Sequence, residues 1–209
     1  MNNLILLRHG QSQWNLENRF TGWEDVPLTL RGIEEAKTAG QILSKNNIII
    51  DIIFSSILQR ANKTAELTVK EMNLGNLWEG EKLIMKRDPS LNERDYGDLV
   101  GLNKEETAKK FGKDQVHIWR RSYDVPPPGG ESLENVVERV KPFFSKFIQP
   151  EIIRGKNVLL VAHGNSLRAT MIQVGLYKTK EISKIELPTG KPFIISYESG
   201  KVVDSNFLS

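Results

Sequence analysis

Two short segments carry the residues best suited to chemistry. Leu4-Ile5-Leu6-Leu7 runs into Arg8-His9-Gly10, and Val158-Leu159-Leu160-Val161-Ala162 runs into His163-Gly164-Asn165. The chain has only three histidines, and these are two of them. Imidazole has a pKa of ~6.5, so a neutral, nucleophilic ring nitrogen is available at neutral pH. Attack by that nitrogen on phosphorus gives a phosphohistidine and splits one difficult transfer into two easier ones. Arginine beside it grips phosphate oxygens bidentately. Further cations and the second histidine would stabilise charge on the equatorial oxygens of the moving group. A lone histidine at a strand end is more often a packing or capping residue. Two matched ones argue otherwise, because neighbouring strands would set the two imidazoles side by side.

The remaining residues at strand ends and in loops share one bias. Asn15, Arg60, Glu93, Tyr96, Lys104, Arg120, Arg121 and Asn165 are mostly cationic or hydrogen-bond donors. Helix N-termini near Ser12, Ser56 and Ser166 would add backbone N–H groups. The expected ligand is therefore an anion, with phosphate the best fit. No glycine-rich phosphate loop is present, and no His/Asp pair has the spacing of a metal site. Side chains alone are expected to handle the charge, without a metal. A carboxylic acid must protonate the leaving oxygen, and Glu93 is the candidate. Its own context serves equally well for a surface ion pair with Arg94.

The elements that must position these residues alternate between strand and helix. The two apolar runs read as buried strands, with Gly10 relieving the steric bar to a sharp turn. Thr29 reads as the N-cap of a helix with Ile33, Ala36, Gly40 and Leu43 on one face. Asp51 to Phe54 reads as a strand. Ser55-Ser56 is then expected to cap a helix with Arg60 in its first turn and Ala61, Ala65, Thr68 and Met72 inward. Leu83 to Met85 is a further strand candidate. Asn103 is expected to cap a short helix ending near Gly112, and a second short helix carries Trp119-Arg120-Arg121. Ser132 caps a helix rich in Val and Phe that Pro142 should kink. A helix from about Ser166 to Val174 follows the second His-Gly, and Phe193 to Tyr197 reads as a late strand. The expectation is one domain over residues 1–209. It is α/β, a three-layer α/β/α sandwich with a mainly parallel sheet and a small helical cap. In such sheets ligands sit at the carboxyl edge of the strands, where both histidines fall.

Composition narrows the function classes. Charged residues make up 26% of the chain and hydrophobic ones 39%, with no cysteine, which excludes disulfide and thiol chemistry. No apolar run approaches the roughly 20 residues of a membrane span. Met1-Asn2-Asn3 leads almost at once into the first strand, so no secretion signal is expected and the location expected is cytoplasmic. The net charge of +3 is spread with Lys and Glu interleaved along helices, unlike the basic stripe of a nucleic-acid binder.

With these residues in place, the chain resembles a known family. Leu7-Arg8-His9-Gly10, followed by Gln-Ser and Trp-Asn15, is similar to the signature of the histidine phosphatase superfamily. Phe20-Thr21-Gly22-Trp23, Leu91-Asn92-Glu93-Arg94 with Tyr96-Gly97, Gly101-Leu102-Asn103-Lys104, Trp119-Arg120-Arg121 and Ala162 to Arg168 resemble the 2,3-bisphosphoglycerate-dependent phosphoglycerate mutases. The likeness runs from about Leu4 to Tyr197 with the motifs in the family's order. It implies that His9 is the phosphorylated nucleophile, with Arg8, Asn15, Arg60 and His163 around the phosphoryl group and Glu93 serving the substrate hydroxyl. It implies that Thr21, Gly22, Tyr96, Lys104, Arg120, Arg121 and Asn165 hold the rest of the ligand, with Ser12 and Gly164 inside matching segments. 2,3-Bisphosphoglycerate is the implied cofactor, priming His9. The partners implied are small phosphoglycerates, with neither nucleic acid nor membrane, and a homodimer stays open. Longer family members carry a polar insertion where this chain has only Pro128-Gly129-Gly130 before Glu131.

The implied activity is interconversion of 3-phosphoglycerate and 2-phosphoglycerate in glycolysis and gluconeogenesis. A phosphatase acting on small phosphate esters is the alternative, since function resides in the grafted site and not in the fold. Lys104, Arg120 and Arg121 favour the mutase, which must hold a second anionic end while excluding water. A non-catalytic anion-binding protein would lack a nucleophile or an acid, and neither is missing.

Overall fold

The first apolar run becomes a buried interior strand of a six-stranded sheet in the computed structural model, which describes residues 1–209. The chain forms β1 (Asn2–Arg8), α1 (Gln13–Leu16), α2 (Leu30–Lys45), β2 (Ile52–Ser55) and α3 (Gln59–Glu71). A small hairpin of β3 (Trp78–Glu79) and β4 (Lys82–Leu83) and the short β5 (Lys86–Arg87) follow. Next come α4 (Lys104–Phe111), α5 (Lys113–Arg121), α6 (Leu133–Phe143), α7 (Gln149–Ile153) and β6 (Val158–Ala162). The chain closes with α8 (Gly164–Gln173), α9 (Thr179–Ile182), β7 (Phe193–Glu198) and β8 (Lys201–Phe207).

The sheet order is β5-β2-β6-β1-β7-β8. β5, β2, β6 and β1 run parallel, whereas β7 is antiparallel to both β1 and β8. β1 and β6 are neighbours, with Arg8 opposite Ala162, so His9 and His163 leave the sheet together at one edge. Both strands are covered on two faces, which is why they are continuous apolar runs and not alternating ones. Leu4, Leu6, Val158 and Leu160 pack with Val136, Val140 and Phe143 of α6 and Leu167 and Met171 of α8. Ile5, Leu7, Leu159 and Val161 pack on the other face with Leu43 of α2 and Ala61, Ala65 and Val69 of α3. Each such aliphatic side chain contributes roughly 1.5–3 kcal/mol on full burial. The three-layer α/β/α arrangement follows. α4 and α5 form the helical cap on a small core of their own, with Phe20, Leu99 and Val116 at its centre.

Several local expectations hold. Thr29 caps α2 by accepting from Gly32 N, Asn103 caps α4 by accepting from Glu105 N and Glu106 N, and Ser132 caps α6 by accepting from Asn135 N. Others are corrected. Ser55 and Ser56 do not cap α3, which begins at Gln59 after Leu58 with no side-chain cap. Ser55 is the last residue of β2 and donates to Val161 O, while Ser56 is taken by His163. Leu83 to Met85 is not one strand: Leu83 ends β4, and the residues that join the main sheet are Lys86 and Arg87. α8 starts two residues earlier than expected, so Gly164 and Asn165 lie in its first turn. Pro142, expected to kink the helix, sits inside α6. The winding continues through it and widens into a π turn over Phe144–Ile148 before α7. Gly10 has no unusual backbone angle. A Cβ there would stand 2.1 Å from Gly32 O, so the glycine is required by close approach to α2. β8 was absent from the sequence expectation because its exposed edge carries polar residues. Ser199 (φ 51°) and Gly200 (φ 77°) make the two-residue turn that pairs it with β7.

Candidate active site

His9 extends β1 by donating its backbone N–H to Ala162 O at 3.0 Å. Its Nδ1 lies 2.7 Å from Gly10 O. A carbonyl can only accept, so Nδ1 carries the proton and Nε2 holds the free lone pair. The turn that arranges this is fixed by Gly10 N donating to Thr64 Oγ1 at 3.1 Å and by the contact with Gly32. Burial, with Arg60 and Arg8 nearby, drives the His9 pKa well below its ordinary value, and the Gly10 bond opposes this only in part. The ring is therefore a neutral base with an available Nε2 throughout the neutral range.

His163 stands beside it, ring centroids 5.0 Å apart. It is fully buried, with Nε2 2.8 Å from Ser56 Oγ and Nδ1 without a partner. Burial and Arg60, then His9, Arg8 and Arg139, lower its pKa well below the ordinary value. Arg60, from the first turn of α3, reaches the loop after β1. Its Nη1 and Nη2 donate to Glu24 O and Gly22 O at 2.8 Å each, and its Nε is buried and unpaired. Burial pulls its pKa down to about 10 against the opposing pull of Glu93 and Asp25. Arg8 donates from Nη1 to Leu187 O at 2.9 Å and also keeps a buried, unpaired Nε.

Glu93 sits in the loop before the cap. Its Oε1 accepts from Arg94 N at 2.8 Å, Asn165 Nδ2 at 2.9 Å and Asn165 N at 3.1 Å. It makes no ion pair with Arg94; the link is to that residue's backbone N–H. Burial raises its pKa, but the Arg94 bond, Arg8, Asn165 and Arg60 together outweigh burial, and the carboxyl lies below its usual range. Glu93 is thus ionised in the ligand-free site. Its backbone is clamped as well: Trp23 Nε1 and Arg139 Nη2 both donate to Glu93 O, and Arg139 is held by a two-pronged pair with Glu131.

These groups open into a cavity of about 170 Å³. Arg8, His9, Asn15, Thr21, Gly22, Arg60, Glu93, Tyr96, Lys104, Arg120, Arg121, Gly164 and Asn165 all line it. Ser12 and His163 do not. Ser12 is fully buried and caps α1 in a reciprocal pair with Asn15, and His163 is fully buried beside His9. Lys104 is brought down to about 8 by burial, Arg120 and Arg8, with Glu93 opposing. Sequence reasoning missed four lining residues: Arg19, Phe20, Arg168 and Glu186. Arg168 was within reach, since it stands three residues after Asn165 on one face of α8 and donates to Asn165 Oδ1. Arg19 and Glu186 had no local signal. Seven cationic side chains face two carboxylates across the cavity, an arrangement that favours a ligand with more than one negative charge. No group of three or more His, Cys, Asp or Glu side chains is placed to hold a metal ion.

Comparison with known proteins agrees with this geometry. The family model described as histidine phosphatase superfamily (branch 1) matches residues 4–205. A 2,3-bisphosphoglycerate-dependent phosphoglycerate mutase of Parvibaculum lavamentivorans is 45% identical over 208 residues, 99% of this chain and 96% of that protein. One from Mesorhizobium japonicum is 50% identical over 202 residues, covering 97% and 95%. This chain covers nearly the full length of both relatives. Among solved structures, a mycobacterial glucosyl-3-phosphoglycerate phosphatase complexed with VO3 matches with TM-score 0.80 and 25% identity over 99% of this chain and 97% of that one. A paired His-Gly edge, an ionised carboxylate and a cationic cavity, on a sequence this close to those relatives, have one reading: the chain belongs to the histidine phosphatase superfamily, among the 2,3-bisphosphoglycerate-dependent phosphoglycerate mutases.

Proposed function

We propose that this chain interconverts 3-phosphoglycerate and 2-phosphoglycerate through a phosphohistidine at His9, acting in the cytoplasm as one domain. The observation that carries the reading is the His9 ring. Its proton is committed to Gly10 O, which leaves Nε2 as the neutral nucleophile of a ring that lines the cavity with Arg8 and Arg60. The unpaired Nε atoms of Arg8 and Arg60 and the ring of outer cations fit a bisphosphorylated ligand. 2,3-Bisphosphoglycerate bound there would supply the first phosphoryl group.

From the phosphorylated form, the Nε2–phosphorus bond breaks as the 2-hydroxyl oxygen of 3-phosphoglycerate bonds to phosphorus. Glu93, ionised at rest, takes the hydroxyl proton. Arg8 and Arg60 bear the charge that spreads over the equatorial oxygens. After the bound bisphosphate turns over, Nε2 takes the 3-phosphoryl group and Glu93 returns its proton to the freed 3-oxygen, leaving 2-phosphoglycerate and the phosphorylated His9. Lys104, Arg120 and Arg121 hold the far anionic end meanwhile. The similarity to a phosphatase solved with VO3 supports a second reading, with water as acceptor at the same inner pocket. Phosphorus NMR of a mixture of the chain, 3-phosphoglycerate and a trace of 2,3-bisphosphoglycerate separates them. 2-Phosphoglycerate as the main product supports the mutase, and free phosphate as the main product overturns it.

A further inference from the structure

Three consecutive residues outside every recognised motif each accept a hydrogen bond from a different arginine of the cavity. Arg168 Nε donates to Ile185 O at 2.8 Å, Arg121 Nη2 to Glu186 Oε1 at 2.6 Å, and Arg8 Nη1 to Leu187 O at 2.9 Å. The two carbonyl acceptors are neutral and orient their arginines. Glu186 brings a charge, and apart from Glu93 it is the only carboxylate on the cavity wall. A negative charge there weakens every anion that enters. Its value to stability is small, because its side chain is 64% exposed and exposed pairs contribute little.

We propose that Glu186 is a specificity-determining residue: in the ligand-free chain its carboxylate holds Arg121 in the place of the ligand's distal anionic group. The inference rests on the phosphoglycerate reading above. A ligand with a single anionic group, seated at His9, leaves the Arg121–Glu186 pair intact and gains nothing from Arg121. A ligand with a carboxylate or second phosphate exchanges one charge-assisted bond for another and releases Glu186 to water, where its exposure lets it go. Glu186 thereby lowers affinity for every phosphoglycerate by the strength of one exposed pair and keeps the distal anion exchangeable while the intermediate turns over.

The test is Glu186→Gln, which keeps shape and removes charge, titrated calorimetrically with 3-phosphoglycerate and separately with inorganic phosphate. The Kd for 3-phosphoglycerate should fall about twofold to fivefold, the range of a weak exposed pair, and the Kd for phosphate should fall much less. The gain should shrink as salt is raised. With Arg121→Met already present, Glu186→Gln should no longer separate the two ligands. An equal shift for both ligands would mean a general field effect and would overturn the exchange. Unchanged or weaker 3-phosphoglycerate binding would overturn it too. A wild-type chain that binds phosphate but not 3-phosphoglycerate would overturn the functional reading and this inference together; if wild type binds both, a neutral Glu186→Gln overturns the inference alone.

Discussion

Lys104 should give phosphoglycerate binding an alkaline limit. It opens α4, where the helix dipole already disfavours a cation. Burial, Arg120 and Arg8 bring its pKa from 10.5 down to about 8. In the unfolded chain the ordinary value returns, so between pH 8 and 10.5 the unfolded state binds more protons and stability rises with pH. Below pH 8 the full penalty of holding the charge is present, on the order of 3 kcal/mol. A bound anion removes that penalty by raising the pKa again, so binding takes up a proton. At pH 8 the uptake should be about half a proton per ligand, and at pH 9 the affinity should be about tenfold weaker than at pH 7. The ligand's phosphate is fully ionised over this range, its second pKa being ~6. Arg60, at about 10, keeps its proton there as well. Titration calorimetry of 3-phosphoglycerate between pH 7 and pH 9, in buffers of different ionisation enthalpy, reads both quantities. Lys104→Arg, charged at every pH, should flatten the profile. A wild-type Kd constant across the range, or the same slope in Lys104→Arg, would refute the reasoning.

Three further outcomes are expected. His9→Ala should abolish covalent labelling by 2,3-bisphosphoglycerate, and the wild-type label should be acid-labile and base-stable; label retained by the variant would remove the proposed nucleophile. Arg121→Ala should lose isomerisation more than phosphate release, raising their ratio by roughly one to two orders of magnitude, since a charge-assisted hydrogen bond is worth on the order of 1.5–3 kcal/mol; an unchanged ratio in the NMR assay would free Arg121 of the substrate. Ser56→Ala would leave buried His163 with neither ring nitrogen paired, at about 1–3 kcal/mol. Thermal unfolding should show a Tm lower by roughly 2–10 °C, and an unchanged Tm would mean the bond contributes nothing.

The parts of this protein legible in its sequence are those set by local rules. β1 and β6 announce themselves as unbroken apolar runs because both faces of the sheet are covered. The caps at Thr29, Asn103 and Ser132 are legible because an N-cap side chain answers N–H groups only two or three residues away. Arg-His-Gly and His-Gly-Asn point to phosphate chemistry because the side-chain types alone restrict what can be done there. The alternation of strand and helix was enough to give the sandwich and its cap.

What tertiary structure decided are the pairings between distant segments. Ser56 reads locally as a helix cap, yet His163, more than a hundred residues away, claims its hydroxyl. Glu93 could equally have been a surface partner of Arg94 until Asn165, from the start of α8, met its carboxylate. Gly10 looks like a turn glycine and is in fact a contact glycine, because Gly32 approaches from another element. Arg139, on α6, fixes the Glu93 loop without any motif around it. The loop carrying Ile185, Glu186 and Leu187 has no local signature at all, although it orients three arginines. Sequence spacing records neighbours along the chain, whereas buried charge and hydrogen-bond capacity must be met by whatever the fold brings near. The type of chemistry was therefore readable from residues, while the state of each group, which proton it holds and which partner it keeps, was set only when the chain closed around it.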